Sequence, residues 1–241
     1  LNHSKAIAHM NRGIVYDNLE EYERAIDDFT QAIILDDTDA IIITLRGEVY
    51  RKIGRFNEAL TDFNQAIALD GNNAVAITQR GEVYRETGRY QEALDDFNRA
   101  IELDATQMDS IFINRGLVLS YLGRYVEAIE SYMYDKEYLN NFSSLYNITI
   151  AMISLSGIPL SQEYIERARI VLLSLVDTDA HGIAAYGLGG LAAATGNISE
   201  ALTYLNEAIR HEKEVIRWAR HDIAWRALHD NPSFEKLIPR L

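Results

Sequence analysis

Apolar residues in the stretch RGEVYRKIGRFNEALTDFNQAIALD recur with the 3.6-residue period on both sides of Gly54, which predicts two amphipathic helices joined by a turn. The pattern then returns along the chain. Gly13, Gly47, Gly81 and Gly116 are spaced 34, 34 and 35 residues apart, the spacing of a solenoid of stacked units. Three residues after each glycine stands Tyr16, Tyr50, Tyr84 or Leu119, and twelve after it Ala25, Ala59, Ala93 or Ala128. Four residues past that alanine comes an aromatic, Phe29, Phe63, Phe97 or Tyr132. Seven past it comes Ala32, Ala66 or Ala100, with Asp135 breaking the column.

Each column has a packing reason. Helix axes in contact lie about 8–10 Å apart, so the glycine and the two alanines mark where neighbouring helices cross with no room for a larger side chain. The tyrosines and phenylalanines fill the gaps between. Gly54, Gly88 and Gly123 occupy the turn inside three units, and the first unit has Leu19 there. A single helical hairpin of this kind cannot bury its own apolar face, and stacking several produces one continuous core.

The segments RGIVYDNLEEYERAIDDFTQAIILD, RGEVYRKIGRFNEALTDFNQAIALD, RGEVYRETGRYQEALDDFNRAIELD and RGLVLSYLGRYVEAIESYMYD resemble the tetratricopeptide repeat family. The chain departs from that pattern where the family often has Trp early in the first helix, here His9, Ile43, Ile77 and Phe112. It departs again where the family has Pro after the second helix, here Asp37, Gly71 and Ala105. The resemblance implies an all-α, right-handed α-α superhelix of about six helical hairpins plus a C-terminal capping helix. Its expected parts are four well-formed repeats in 1–142 (about 6–39, 40–73, 74–108 and 109–142), two degenerate helix pairs in 143–210, and a cap in 211–241.

Downstream the columns fade. AMISLSGIPLSQEYIERARIVLLSLVD reads as helix, turn, helix, with about five extra residues around Gly157 and Pro159 lengthening the link. A sixth pair restores Gly189, Gly196, Ala201 and Ala208. Its first helix carries Gly182, Gly187, Gly189 and Gly190, each costing about 1 kcal/mol relative to alanine, so a close helix neighbour is the expected compensation. The end reads as a final helix followed by a short one opening at Pro232 and capped by Asn231, with Trp218 and Trp225 shielding the edge of the stack.

Composition adds little to the fold but narrows the function. The net charge is −13 and lies mostly upstream: residues 1–141 hold 14 Lys/Arg against 25 Asp/Glu, and residues 142–241 hold 9 against 11. An acidic surface repels phosphate backbones and attracts basic partners, so nucleic acid is not expected as a ligand. No apolar run is long enough to cross a bilayer, and Leu1–Ala8 lacks the basic and apolar regions of a leader, so membrane insertion is not expected either. Opening on Leu1, the chain reads as having lost its true start. Zero cysteines fit a reducing compartment, here taken as the cytoplasm.

In this family the first helices line a concave groove. The resemblance places there Asn11 and Asn18 from the first repeat, Thr44, Glu48 and Lys52 from the second, Thr78, Gln79, Glu82 and Glu86 from the third, and Asn114, Leu117 and Tyr121 from the fourth. Glu48 precedes Arg51 and Lys52 by one helical turn and Glu82 precedes Arg85 similarly, so these charges are either solvated pairs along one helix or ligand contacts. Some family members clamp chaperone C-terminal tails with asparagine and basic side chains. The column after the glycine here reads Ile14, Glu48, Glu82 and Leu117, whose carboxylates would repel such a tail.

The sequence carries no legible catalytic or metal-binding constellation. The carboxylate pairs in DDF and LDD recur at repeat positions and read as a solvated face or helix-start charge. HEKEV from His211 lacks the second histidine of a zinc site, and Gly187, Gly189 and Gly190 follow no strand and precede no lysine. Asn141, Asn147 and Asn197 open glycosylation sequons of a kind frequent by chance. The expected protein is a non-enzymatic interaction scaffold or adaptor that holds a protein or peptide, with basic residues in it, in the concave groove, without metal or cofactor; a homo-oligomer is compatible with it. The alternative is a regulatory or sensor module of a larger protein that changes conformation on binding, with Gly157 and Pro159 as its hinge.

Overall fold

The structure is a computed structural model that describes residues 2–103, 109–134, 142–156, 158–178, 181–211 and 214–239. Ala105, Asp135, Asn141 and Gly157 lie outside the described residues. Among those described, all regular structure is helical. The chain divides into two compact units, Leu1–Ile111 and Phe112–Leu241.

Unit 1 is built from three hairpins: α1 (Asn2–Asn18) with α2 (Tyr22–Leu35), α3 (Ala40–Lys52) with α4 (Phe56–Leu69), and α5 (Ala74–Glu86) with α6 (Tyr90–Leu103). The starts and stops are local chemistry. The Asp39 carboxylate accepts from the backbone N–H of Ile41 at 2.9 Å to open α3, and Asn73 Oδ1 accepts from Ala76 N–H at 2.9 Å to open α5. The turn inside each hairpin is left-handed: Gly54 at φ 78° lets Arg55 N–H reach back to Tyr50 C=O at 2.8 Å, and Gly88 at φ 77° repeats the device.

In the first hairpin the residue at this position is Glu20, with φ 59°, and not Leu19 as the sequence pattern had indicated. A side chain in the left-handed region costs about 1–2 kcal/mol, and glycine gives back part of that through the freedom of its unfolded chain. Glu20→Gly is therefore expected to stabilise the protein by about 0.5–1 kcal/mol. The check is the denaturant midpoint at constant slope; an unmoved midpoint would show the turn to be unstrained.

The columns of small residues pack as their spacing requires. A Cβ on Gly47 would lie 2.7 Å from the Phe63 ring, one on Gly13 2.8 Å from Phe29, and one on Gly81 2.9 Å from Phe97. Ala25, Ala32, Ala59, Ala66, Ala93 and Ala100 are all fully buried. The aspartate before each column phenylalanine, in DDF, TDF and DDF in turn, departs from the expectation of a solvated face. Asp28, Asp62 and Asp96 are buried, and each receives a forked pair of hydrogen bonds from the arginine preceding the column glycine. The Arg46–Asp62 contacts are both 2.8 Å, and those of Arg80–Asp96 both 2.7 Å. Burial would be prohibitive for a lone carboxylate, and a bidentate guanidinium supplies the compensation. Arg46 also reaches Thr30 and Arg80 reaches Asn64, tying each hairpin to the one before it.

Unit 2 begins within α7 (Asp109–Tyr121) and continues through α8 (Tyr125–Tyr132), α9 (Phe142–Ser156), α10 (Ile158–Ser174), α11 (His181–Ala194) and α12 (Ile198–His211). Pro159 of the predicted long link lies within helix: α10 opens at Ile158 and runs for 17 residues. The glycine-rich α11 is the centre of this unit's core. A Cβ on Gly187 would lie 2.6 Å from Leu172 Cδ2 and one on Gly189 2.7 Å from Trp225 Cη2, while Gly190 makes room for the Tyr146 hydroxyl.

The expected final helix is split into α13 (Val215–Ala219) and a 3-10 helix, Ile223–Leu228, before α14 (Pro232–Leu237), which Asn231 caps through Ser233 and Phe234 N–H. Asp222 makes the join. Its buried carboxylate accepts from Tyr146 Oη at 3.0 Å, Tyr186 Oη at 2.9 Å and Ala224 N–H at 2.9 Å. Burial pushes its carboxyl above the usual range despite these donors. Among the described residues, no helix is long and apolar enough to cross a membrane.

Candidate functional site

In unit 1 the first helices touch in succession, α1 to α3 and α3 to α5, while the second helices meet the next hairpin chiefly through its first helix. Within this unit α1, α3 and α5 therefore lie side by side, and their outward-turned side chains form one continuous face, its inner face.

A ladder of opposite charges crosses that face from helix to helix. Lys52 Nζ donates to both carboxylate oxygens of Asp17, at 2.8 and 2.7 Å. Arg51 Nε donates to Gln79 Oε1 at 2.9 Å and Nη1 to Glu86 Oε1 at 2.9 Å, with Nη2 3.1 Å from Glu82 Oε2. Arg85 Nη2 lies 3.9 Å from Glu86. The pairs expected between Glu48 and Arg51 or Lys52 along α3 are thus replaced by bridges to neighbouring helices. A long basic side chain near the end of one first helix reaches the carboxylates of the adjacent helix more readily than the glutamate one turn behind it.

Glu48 is the carboxylate left over. It is half-buried in the middle of α3, and among the described residues its oxygens form no hydrogen bond or ion pair. Burial pushes its carboxyl up, Lys52 and Arg51 pull it down, and Asp17 and Glu82 push it up again.

Family models described as tetratricopeptide repeat match residues 6–39 and 38–106. The chain belongs to the tetratricopeptide repeat family. Solved structures with the same fold extend the likeness beyond the matched residues. MamA is 20% identical, covers 71% of this chain and 94% of its own, and superposes with a TM-score of 0.62. PilF of Pseudomonas aeruginosa is 17% identical over 91% of this chain and 97% of its own, with a TM-score of 0.64. YrrB, a tetratricopeptide protein with an unusual peptide-binding site, is 22% identical over 84% of this chain and 96% of its own, with a TM-score of 0.53. No curated protein is significantly similar to the chain in sequence.

The sequence-predicted groove residues of this tetratricopeptide chain are distributed as follows. Lys52, Gln79, Glu82 and Glu86 join the ladder around Glu48. Asn11 and Asn18 are exposed on α1. Thr44 is buried, its hydroxyl donating to Ala40 C=O at 2.7 Å and accepting from Asn73 Nδ2 at 3.2 Å, so it is closed to a ligand. Thr78 is half-buried and donates to Ala74 C=O at 2.8 Å. Asn114, Leu117 and Tyr121 are half-buried members of unit 2, where the Tyr121 ring lies 5.4 Å from the Arg226 guanidinium.

Asp17 was missed, although the repeat itself carries the signal. Asp17, Arg51 and Arg85 share one column, and Asn18, Lys52 and Glu86 share the next. Two of the bridges, Asp17–Lys52 and Arg51–Glu86, join the first column of one repeat to the second column of the following one, 35 residues on.

Proposed function

We propose that this protein is an interaction scaffold whose unit 1 receives an extended or helical peptide segment of another protein across α1, α3 and α5. The observation that carries the reading is the charge ladder. Its donors and acceptors are held by neighbouring helices before any ligand arrives, so little side-chain freedom remains to be lost on binding. Gln79 and the exposed Asn11 and Asn18 add amide groups that can donate to and accept from a peptide backbone at once. YrrB shows that a peptide-binding site can be built on this fold. Nothing in the arrangement calls for catalysis: carboxylates abound, but they serve arginines and lysines rather than enclosing a reacting group.

The test is panning a random linear peptide library on the full chain, followed by titration of enriched peptides while the side-chain amide signals of Asn11, Asn18 and Gln79 are watched. Saturable shifts of these signals are the expected result. Failure to enrich any peptide, or binding that moves only signals of α9 to α14, would sink the proposal.

A further inference from the structure

The inner face of unit 1 is one positive charge short. Four carboxylates, Asp17, Glu48, Glu82 and Glu86, meet three cations, Arg51, Lys52 and Arg85. The two cations on the Glu48 helix are committed. Lys52, the residue one turn after Glu48, turns away to bind both oxygens of Asp17, and Arg51 spends its three nitrogens on Gln79, Glu82 and Glu86. That leaves Glu48, half-withdrawn from water and without a partner among the described residues. A partly desolvated carboxylate interacts with an arriving charge more strongly than an exposed one and is less screened by salt.

Resting on the reading above, we propose that Glu48 is the receptor for a single arginine or lysine side chain of the peptide that unit 1 binds. The incoming cation brings the face to neutrality and restores hydrogen bonds to both Glu48 oxygens. Those two free oxygens suit the fork of a guanidinium better than the point charge of an ammonium, so arginine is the preferred residue. A divalent metal is a poorer fit, because it needs several oxygen ligands and the neighbouring carboxylates are already held by Arg51 and Lys52. An acidic tail is repelled by the same surplus charge that draws a basic segment in.

The experiment is a double-mutant cycle on the full chain. The library is panned, and each enriched peptide is remade with its basic residue replaced by norleucine, which keeps the aliphatic stem and removes the charge. Both forms are titrated against the native chain, Glu48→Gln and Glu48→Asp. We expect the norleucine form to bind the native chain about tenfold more weakly. Against Glu48→Gln the two forms should bind alike, and Glu48→Asp should retain part of the difference. The amide variant removes a desolvated charge and should melt no lower than the parent, and the aspartate variant keeps the charge with a shorter reach. Equal norleucine losses for the native and Gln chains would overturn the assignment of Glu48, as would enriched peptides that shift Gln79 yet hold no basic residue. Either result leaves the interaction module standing. Failure to enrich any peptide that shifts Gln79 would overturn both.

Discussion

Asp62→Ala is expected to destabilise the chain by about 3–5 kcal/mol, the range for removing one partner of a buried ion pair. Asp62 is 2% exposed, and its Arg46 partner has only 17% of its side chain in contact with solvent. Once the carboxylate is gone, the guanidinium keeps its bond to Thr30 and the Tyr50 ring at 5.8 Å, neither of them a counter-charge, in a site it cannot easily leave. The cost is that of a stranded charge rather than of a lost attraction, and two variants make the distinction. The double replacement Arg46→Met, Asp62→Leu removes both charges at similar volume and should recover most of the loss. Asp28→Ala should cost clearly less, because the Arg12 side chain is 58% exposed and can turn into water. Chemical denaturation of the four proteins checks the ordering. An Asp28→Ala loss as large as that of Asp62→Ala would show that stability comes from the attraction itself, and the explanation by stranded charge would fall.

The same arginines mark the boundary of what could be read from the sequence. Period and shape were legible because each column admits only one kind of side chain. A Cβ at Gly47 would strike Phe63, so the small and the aromatic residue announce each other 16 positions apart. The buried aspartates carried the same 16-residue signature, Arg12 with Asp28, Arg46 with Asp62 and Arg80 with Asp96. A charge on a helix is ordinarily solvated, and that prior prevailed over the column. At the candidate site the reading was partial for a related reason. Glu48 was expected on the groove side of α3 beside Arg51 and Lys52, but those two neighbours along the helix are occupied elsewhere. Arg51 and Lys52 bond to α5 and α1, a choice set by the distance between helices, which a single helix's sequence does not carry. The turn in the first hairpin was misplaced by one residue because glutamate hides a conformation that glycine would have displayed.

Trp225→Ala is the second large effect, with an expected loss of about 3–5 kcal/mol for a fully buried indole. The ring is held at 5.6 Å from Tyr186 and stacks on Phe234 at 6.0 Å, so it joins α11 to α14. Its edge also occupies the space left by Gly189, where an added Cβ would lie 2.7 Å from Cη2. This last contact predicts a coupling that loss of apolar area alone would not produce. Gly189→Ala in the native chain gains helix propensity but meets the indole, and should destabilise. In the Trp225→Ala background the indole is absent, and the same alanine should cost less, although the Tyr204 Cβ at 3.1 Å and the Ala201 carbonyl at 3.2 Å still crowd it. Denaturant unfolding followed by circular dichroism measures the four corners of the cycle, and the remaining tryptophan, Trp218, 5.8 Å from the same Tyr186, provides an independent fluorescence readout. Strict additivity would mean that Gly189 is required by Tyr204 and Ala201 of α12 and not by the indole. A Trp225→Ala loss under about 1 kcal/mol would mean that the segment after α12 is a covering that the core of α9 to α12 does not need.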